Sequence, residues 1–297
     1  MIAAIRDNWK AAEKDHEKYL NKIIQDFIDA QHKECGPRKP AFYFVCNTRE
    51  LITSSKLSDL LKSMEILESY SKELGDRKAL LIKDLEQIFN YDKFISKYGQ
   101  WNAYALCKKS KTRICPYCNH AYAFTIKTKG GSFRPTLDHF FYKDEYPHLA
   151  LTLYNLVPSC SSCNSSLKGK KDFFKNPHLN PLFDDEQIKF QLVSSGNPAG
   201  LSDAITGDDN GVKIVARAPD ECEKSQNSLK TFIVNERYDI LLMEAVDFFI
   251  AKRNLEEAKI NTQLGLSFNE SELLRFDRAN HNKYLLGKMF ADIYDSF

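Results

Sequence analysis

Apolar residues recur at helical spacing from the start of the chain. Ile5, Trp9 and Ala12, then Leu20, Ile23, Ile24, Phe27 and Ile28, stand among charged residues, predicting one long helix over residues 4–33. Gly36 and Pro37 stop it. AFYFVC, 41–46, reads as a short extended segment. Two more helices are predicted near 56–73 and 77–98, the second ending at Gly99. After Trp101 the period changes. AYAFTIK and SFRPTLDHF are β-like runs around Gly130–Gly131, the pattern of a hairpin. PHLALTLYN, 147–155, fits a short helix with proline in its first turn. NPHLNPLF is proline-punctuated and irregular. IKFQLVSS and VKIVARA read as strands around a polar loop at 196–211. TFIVNERYDILLMEAVDFFIAKRNLEEAKI reads as a long helix, and residues 270–295 as one more.

These elements make an α+β protein of three parts: a helical N-terminal region, 1–105; a central core, 106–175; and a mixed strand and helix region, 176–297. Composition is that of an ordinary folded soluble chain, with 43% hydrophobic and 28% charged residues in a length of 297. No long uncharged apolar run occurs, and the N-terminus is charged from Arg6 onward. The expectation is therefore a cytoplasmic protein without a membrane partner.

The net charge of +2 says little, but its distribution says more. Lys108, Lys109, Lys111, Arg113, Lys127, Lys129 and Arg134 fall between Trp101 and Arg134 without one acidic residue. Such a segment suits a polyanion, or simply a solvated face. Residues 184–209 are acidic instead, with Asp184, Asp185, Glu186, Asp203, Asp208 and Asp209 against Lys189.

Of the eight cysteines, four form two pairs, Cys115-Pro-Tyr-Cys118 and Cys160-Ser-Ser-Cys163. A two-residue spacer lets both thiolates converge on one ion, and four thiolates complete a zinc tetrahedron. A filled tetrahedron leaves no open position, so this zinc is expected to be structural. His120 adjoins the first pair, but four thiols suffice. His148, His178 and His281 are read as packing or surface residues. Tyr117, Tyr122 and Phe124 are read as core packing in preference to base stacking.

Between the pairs, LDHF places Asp138 beside His139, with Asn155 sixteen residues after the histidine and Asn164 nine residues later. This set between two CxxC knuckles resembles the HNH endonuclease family, with asparagine in the place of the last histidine. The order CPYC, LDHF, YPHLAL, NLVPSCSSCN and KGK resembles the HNH nucleases of Septu-type anti-phage systems.

The resemblance implies a ββα-metal core and hydrolysis of phosphodiester bonds. His139 is the expected general base, imidazole being suited to deprotonate water near neutral pH. Asp138 and Asn164 are the expected oxygen ligands of a catalytic Mg²⁺ or Mn²⁺, and Asn155 the brace that orients His139. Arg134, Lys168, Lys170 and Lys171 are the candidate phosphate contacts. The resemblance further implies a partner ATPase and a nucleic-acid substrate, DNA being preferred to RNA. The alternatives are an RNA endonuclease of the same fold and a non-catalytic zinc-knuckle nucleic-acid-binding or scaffold protein.

Overall fold

The computed structural model of the chain describes residues 2–34, 39–96, 99–194, 211–261 and 269–297. The expected helix stop at Gly36 and Pro37, and the loop carrying Asp203, Asp208 and Asp209, lie outside the described residues. Helices predominate, and the sheets are small. Three two-stranded antiparallel sheets are present among the described residues. No helix among these residues is long and apolar enough to cross a membrane.

The chain divides into two compact units. One comprises Ile5–Arg113 and Ala123–Asn176. Its helices are α1 (Glu13–Lys33), α2 (Pro40–Thr53), α3 (Leu57–Leu74), α4 (Lys78–Ile88), α5 (Tyr91–Ile95) and α6 (Ala103–Lys108). The strands follow as β1 (Ile126–Lys127), β2 (Ser132–Phe133), β3 (Thr136–His139) and β4 (Leu156–Ser159). A seven-residue π-helix, Ser162–Lys168, completes the unit.

Several expectations for this unit need correction. PHLALTLYN is not one helix but two 3₁₀ turns, Pro147–Leu149 and Leu153–Asn155. The first helix starts at Glu13 instead of residue 4. The preceding turns are held by tertiary bonds: the Trp9 indole donates to the Leu156 carbonyl at 2.8 Å, and Asn8 Oδ1 accepts from Ser110 Oγ and the Thr112 amide, both at 2.9 Å. AFYFVC is helical, not extended. Pro40 opens α2 at its first turn, and Ala41, Phe44, Val45, Thr48 and Ile52 are buried at helical spacing. Six apolar residues alone could not reveal that period. The helix expected over 77–98 breaks near Asn90, whose side chain accepts from the Lys93 amide at 2.7 Å and caps α5.

Under these helices lie two buried histidines. His16 accepts the Trp101 indole proton at Nδ1, 3.2 Å away, so its Nε2 carries the proton donated to the Leu151 carbonyl at 2.7 Å. His148 Nε2 lies 3.0 Å from Ser63 Oγ, which itself donates to the Leu60 carbonyl at 2.7 Å. Burial lowers His16 from 6.5 to about 4 and His148 to about 3.

Both rings therefore stay neutral in the folded chain and charge more readily in the unfolded one. Their contribution is complete above about pH 6.5 and is lost as pH falls toward the folded values. Together they are expected to remove about 3 kcal/mol of stability between pH 6.5 and 5. Urea midpoints across that range check this. His148→Gln should show a shallower slope, and an unchanged slope would contradict it.

The other unit comprises Met1–Ala4, Ile114–Tyr122 and Pro177–Phe297. Its sheet pairs β5 (Lys189–Ser194) with β6 (Val212–Arg217) in unbroken antiparallel register. The helices are α7 (Glu223–Thr231), α8 (Val234–Asp239), α9 (Leu242–Asn261), α10 (Glu270–Leu274) and α11 (Gly287–Tyr294). The single long helix expected from TFIVNERYDILL onward is thus two, α8 and α9, its first residue Thr231 ending α7. Ile233 takes a left-handed φ of 40° between α7 and α8, while its neighbour Phe232 is buried against Tyr117, ring centroids 4.5 Å apart. Residues 270–295 break likewise, at Asp277, which caps a short 3₁₀ turn (Arg278–Lys283), and at Leu286, φ 59°. Tyr117 packs as expected. Tyr122 does not, being 62% exposed.

Candidate metal sites and cavity

The two CxxC pairs sit on different local scaffolds. Around the first, the Cys115 amide donates to the Ala121 carbonyl and the Asn119 amide to the Cys115 carbonyl, each at 2.8 Å. Asn119 closes this turn with a left-handed φ of 55°. The second pair starts the π-helix: Cys163 lies within it, and the Asn164 amide donates to the Cys160 carbonyl at 3.1 Å. The four sulfurs lie within 4.8 Å of one another. A tetrahedron with Zn–S near 2.3 Å needs sulfurs about 3.8 Å apart, so the four can hold one zinc ion after a small contraction. His120 is not part of the group.

The Asp138–His139 pair ends β3, which runs antiparallel to β4 with Asp138 opposite Val157 and His139 opposite Leu156. The outer edge of this small sheet is tied by the Tyr91 hydroxyl, which donates to the Leu137 carbonyl at 3.2 Å. Tyr91 also sets its ring edgewise to His139, centroids 4.4 Å apart.

The His139 Nε2 lies 3.0 Å from the Ala150 carbonyl. A carbonyl only accepts, so Nε2 carries the proton and Nδ1 the lone pair. Burial lowers the ring from 6.5 to about 4, only partly opposed by the Ala150 carbonyl and the Asp138 charge. Neutral imidazole is thus the form present near neutral pH.

Asn155 is fully buried. Its amide oxygen accepts from the Phe141 N–H at 2.7 Å, and its amide nitrogen donates to the carbonyls of Phe141 and Leu149 at 3.0 and 3.1 Å. These bonds clamp the loop that carries Ala150 against the end of β3.

Asn164 stands on the π-helix, whose i→i+5 bond runs from the Gly169 amide to the Asn164 carbonyl at 2.8 Å. Asp138, His139 and Asn164 line one cavity of about 310 Å³, together with Tyr91, Arg134 and Lys168.

The candidate phosphate contacts fall into different environments. Arg134 lines the cavity. Lys170 and Lys171 are exposed beyond the π-helix, Lys171 reaching the Leu167 carbonyl. Lys168 is buried: its ammonium lies 2.9 Å from Asp138 Oδ1, with the two side chains only 1% and 2% exposed. It also donates to the His139 carbonyl at 2.6 Å and stands 5.0 Å from the Phe173 ring centroid.

Lys168 is thus an internal partner of the Asp138–His139 pair. Its spacing of four from Asn164 places both on one helical face, the one signal for this role in the sequence. Tyr91 had no such signal, because it reaches the site from the N-terminal helices.

Comparison with known proteins finds one stretch of similarity. Forty-eight residues are 46% identical to the Septu protein PtuB of Bacillus thuringiensis. The match covers 16% of this chain and spans 18% of that protein's length. No family profile matches the chain, and no solved structure matches it.

Proposed function

We propose that this chain is a metal-dependent endonuclease of HNH type that acts on nucleic acid in defence against phage. The observation that carries the reading is His139. It is neutral, held through Nε2 by the Ala150 carbonyl, and shares one cavity with two oxygen donors, Asp138 and Asn164.

In this reading Nδ1 of His139 takes a proton from the attacking water as its oxygen bonds to phosphorus and the bond to the leaving sugar oxygen breaks. Asp138 and Asn164 offer a carboxylate and an amide oxygen, a donor set suited to Mg²⁺ or Mn²⁺. When bound there, such an ion supplies charge neutralisation to the phosphate and the leaving oxygen. Asn155 and Tyr91 keep the imidazole in place, and Arg134 meets substrate phosphate. The zinc of the four thiolates serves folding only.

The similarity to a Septu protein supports the defence role. DNA is the preferred substrate, and a partner ATPase would restrain or direct cleavage. One observation favours a non-catalytic nucleic-acid-binding role instead: the Asp138 carboxylate already has an internal cation in Lys168. A cleavage assay decides between the two. Supercoiled plasmid, single-stranded DNA and total cellular RNA are offered in parallel, with and without Mg²⁺ or Mn²⁺. The nuclease reading expects loss of at least one substrate only when the ion is added. Persistence of all three, with nucleic acid nonetheless bound, would leave the binding role.

A further inference from the structure

The β1–β2 hairpin stands out on the surface. Its two strands pair through Ile126 with Phe133 and Lys127 with Ser132. The apolar cross-strand pair is open to water, Ile126 41% and Phe133 50% exposed, and Phe124 packs edgewise on Phe133, centroids 5.4 Å apart. A two-stranded ribbon this short gains little by exposing an aromatic and an aliphatic side chain together.

Along this part of the chain the charge is of one sign. The stretch from Trp101 to Arg134 has seven basic and no acidic residues. Two of those cations are neutralised within the unit, Lys109 by Asp15 and Lys111 by Asp7. Lys127, Lys129 and Arg134 have no carboxylate within ion-pair distance among the described residues. The Lys127 ammonium and the Arg134 guanidinium share the Tyr104 ring, 5.9 and 5.6 Å from its centroid. Arg134 also lines the cavity of Asp138 and His139, so one cation of this group borders the candidate active site.

We infer that the hairpin is a docking arm for single-stranded nucleic acid, with Phe133 and Ile126 taking unpaired bases and Lys127, Lys129 and Arg134 taking the backbone toward the cavity. The charge calls for a polyanion, and the exposed apolar pair selects its form. A duplex keeps its base faces stacked inside, whereas every unpaired base offers a π-face to an aromatic side chain. The inference rests on the nuclease reading for the direction of the strand toward His139, but the binding it describes needs no cleavage.

Fluorescence anisotropy with short labelled single strands, DNA and RNA, and a matching DNA duplex tests this on full-length His139→Ala protein. Single strands are expected to bind at least about ten-fold more tightly than the duplex. Adding Ile126→Ser and Phe133→Ser should cost about ten-fold on single strands, the order seen for one lost base stack. Adding Lys127→Gln and Lys129→Gln should reduce the salt slope by about 1.4, at about 0.7 per lost phosphate contact. Equal affinity for duplex and single strand, or no loss on removing Ile126 and Phe133, would overturn the docking arm. Cleavage by the wild type is scored separately. A chain that cleaves but ignores the hairpin changes keeps the nuclease reading alone. A chain that binds through the hairpin and never cleaves keeps the docking arm alone.

Discussion

Cys163→Ser is expected to abolish the folded state, not merely to weaken it. Cys163 is fully buried, and its sulfur belongs to the group of four that lie within 4.8 Å. A structural zinc ion contributes on the order of 10 kcal/mol to folding. The whole stability of a domain is about 5–15 kcal/mol. Loss of one thiolate in four therefore removes enough to unfold the chain around the site. Circular dichroism should show loss of cooperative unfolding, and metal analysis should fall from one zinc per wild-type chain to none. Cys46→Ser, at an exposed thiol outside the group, should change neither reading. A Cys163→Ser protein that melts like the wild type would refute the zinc site.

Lys168→Met comes next in size. Its ammonium and the Asp138 carboxylate are both almost wholly buried at 2.9 Å. Removing one member of such a pair strands the other charge in a low-dielectric surrounding, a loss of about 3–5 kcal/mol. The His139 carbonyl also loses its donor. Methionine keeps the length and apolar stem that pack near Phe173, so the loss reports on charge and hydrogen bonding, not on volume. Combining Lys168→Met with Asp138→Leu should recover much of the stability, because the stranded carboxylate is then gone. The double-variant cycle measures this coupling directly. Simple additivity of the two losses in urea unfolding would show that the pair is not a unit.

The grouping of the candidate site residues was more legible in the sequence than the fold around them, for a physical reason. Metal-ligand and acid–base groups are marked by residue type and spacing, which survive any uncertainty about secondary structure. Cys115, Cys118, Cys160 and Cys163 announced one cluster, and the sulfurs do converge. Asp138, His139 and Asn164 could be singled out as well, and they line one cavity.

What stayed hidden was decided by tertiary contacts. AFYFVC is uniformly apolar, so only the burial of Thr48 and Ile52 further along discloses its helical period. The breaks at Asn90, Ile233 and Leu286 come from a cap and from left-handed residues that no hydrophobic pattern marks. Lys168 read as a cation for substrate because lysine is ordinarily solvated. Its burial depends on a carboxylate thirty residues earlier in the chain. Tyr91 reaches His139 from a helix with no chemical motif of its own.

The most direct test of the account is the initial rate of nucleic-acid cleavage in Mg²⁺ or Mn²⁺ by wild type and His139→Ala, prepared side by side and matched for zinc content. With His139 as general base, the variant should fall by about 10²–10⁴ while it binds nucleic acid as the wild type does. Equal rates in the two proteins would contradict the account, because the cavity around His139 would then not be where the bond is broken.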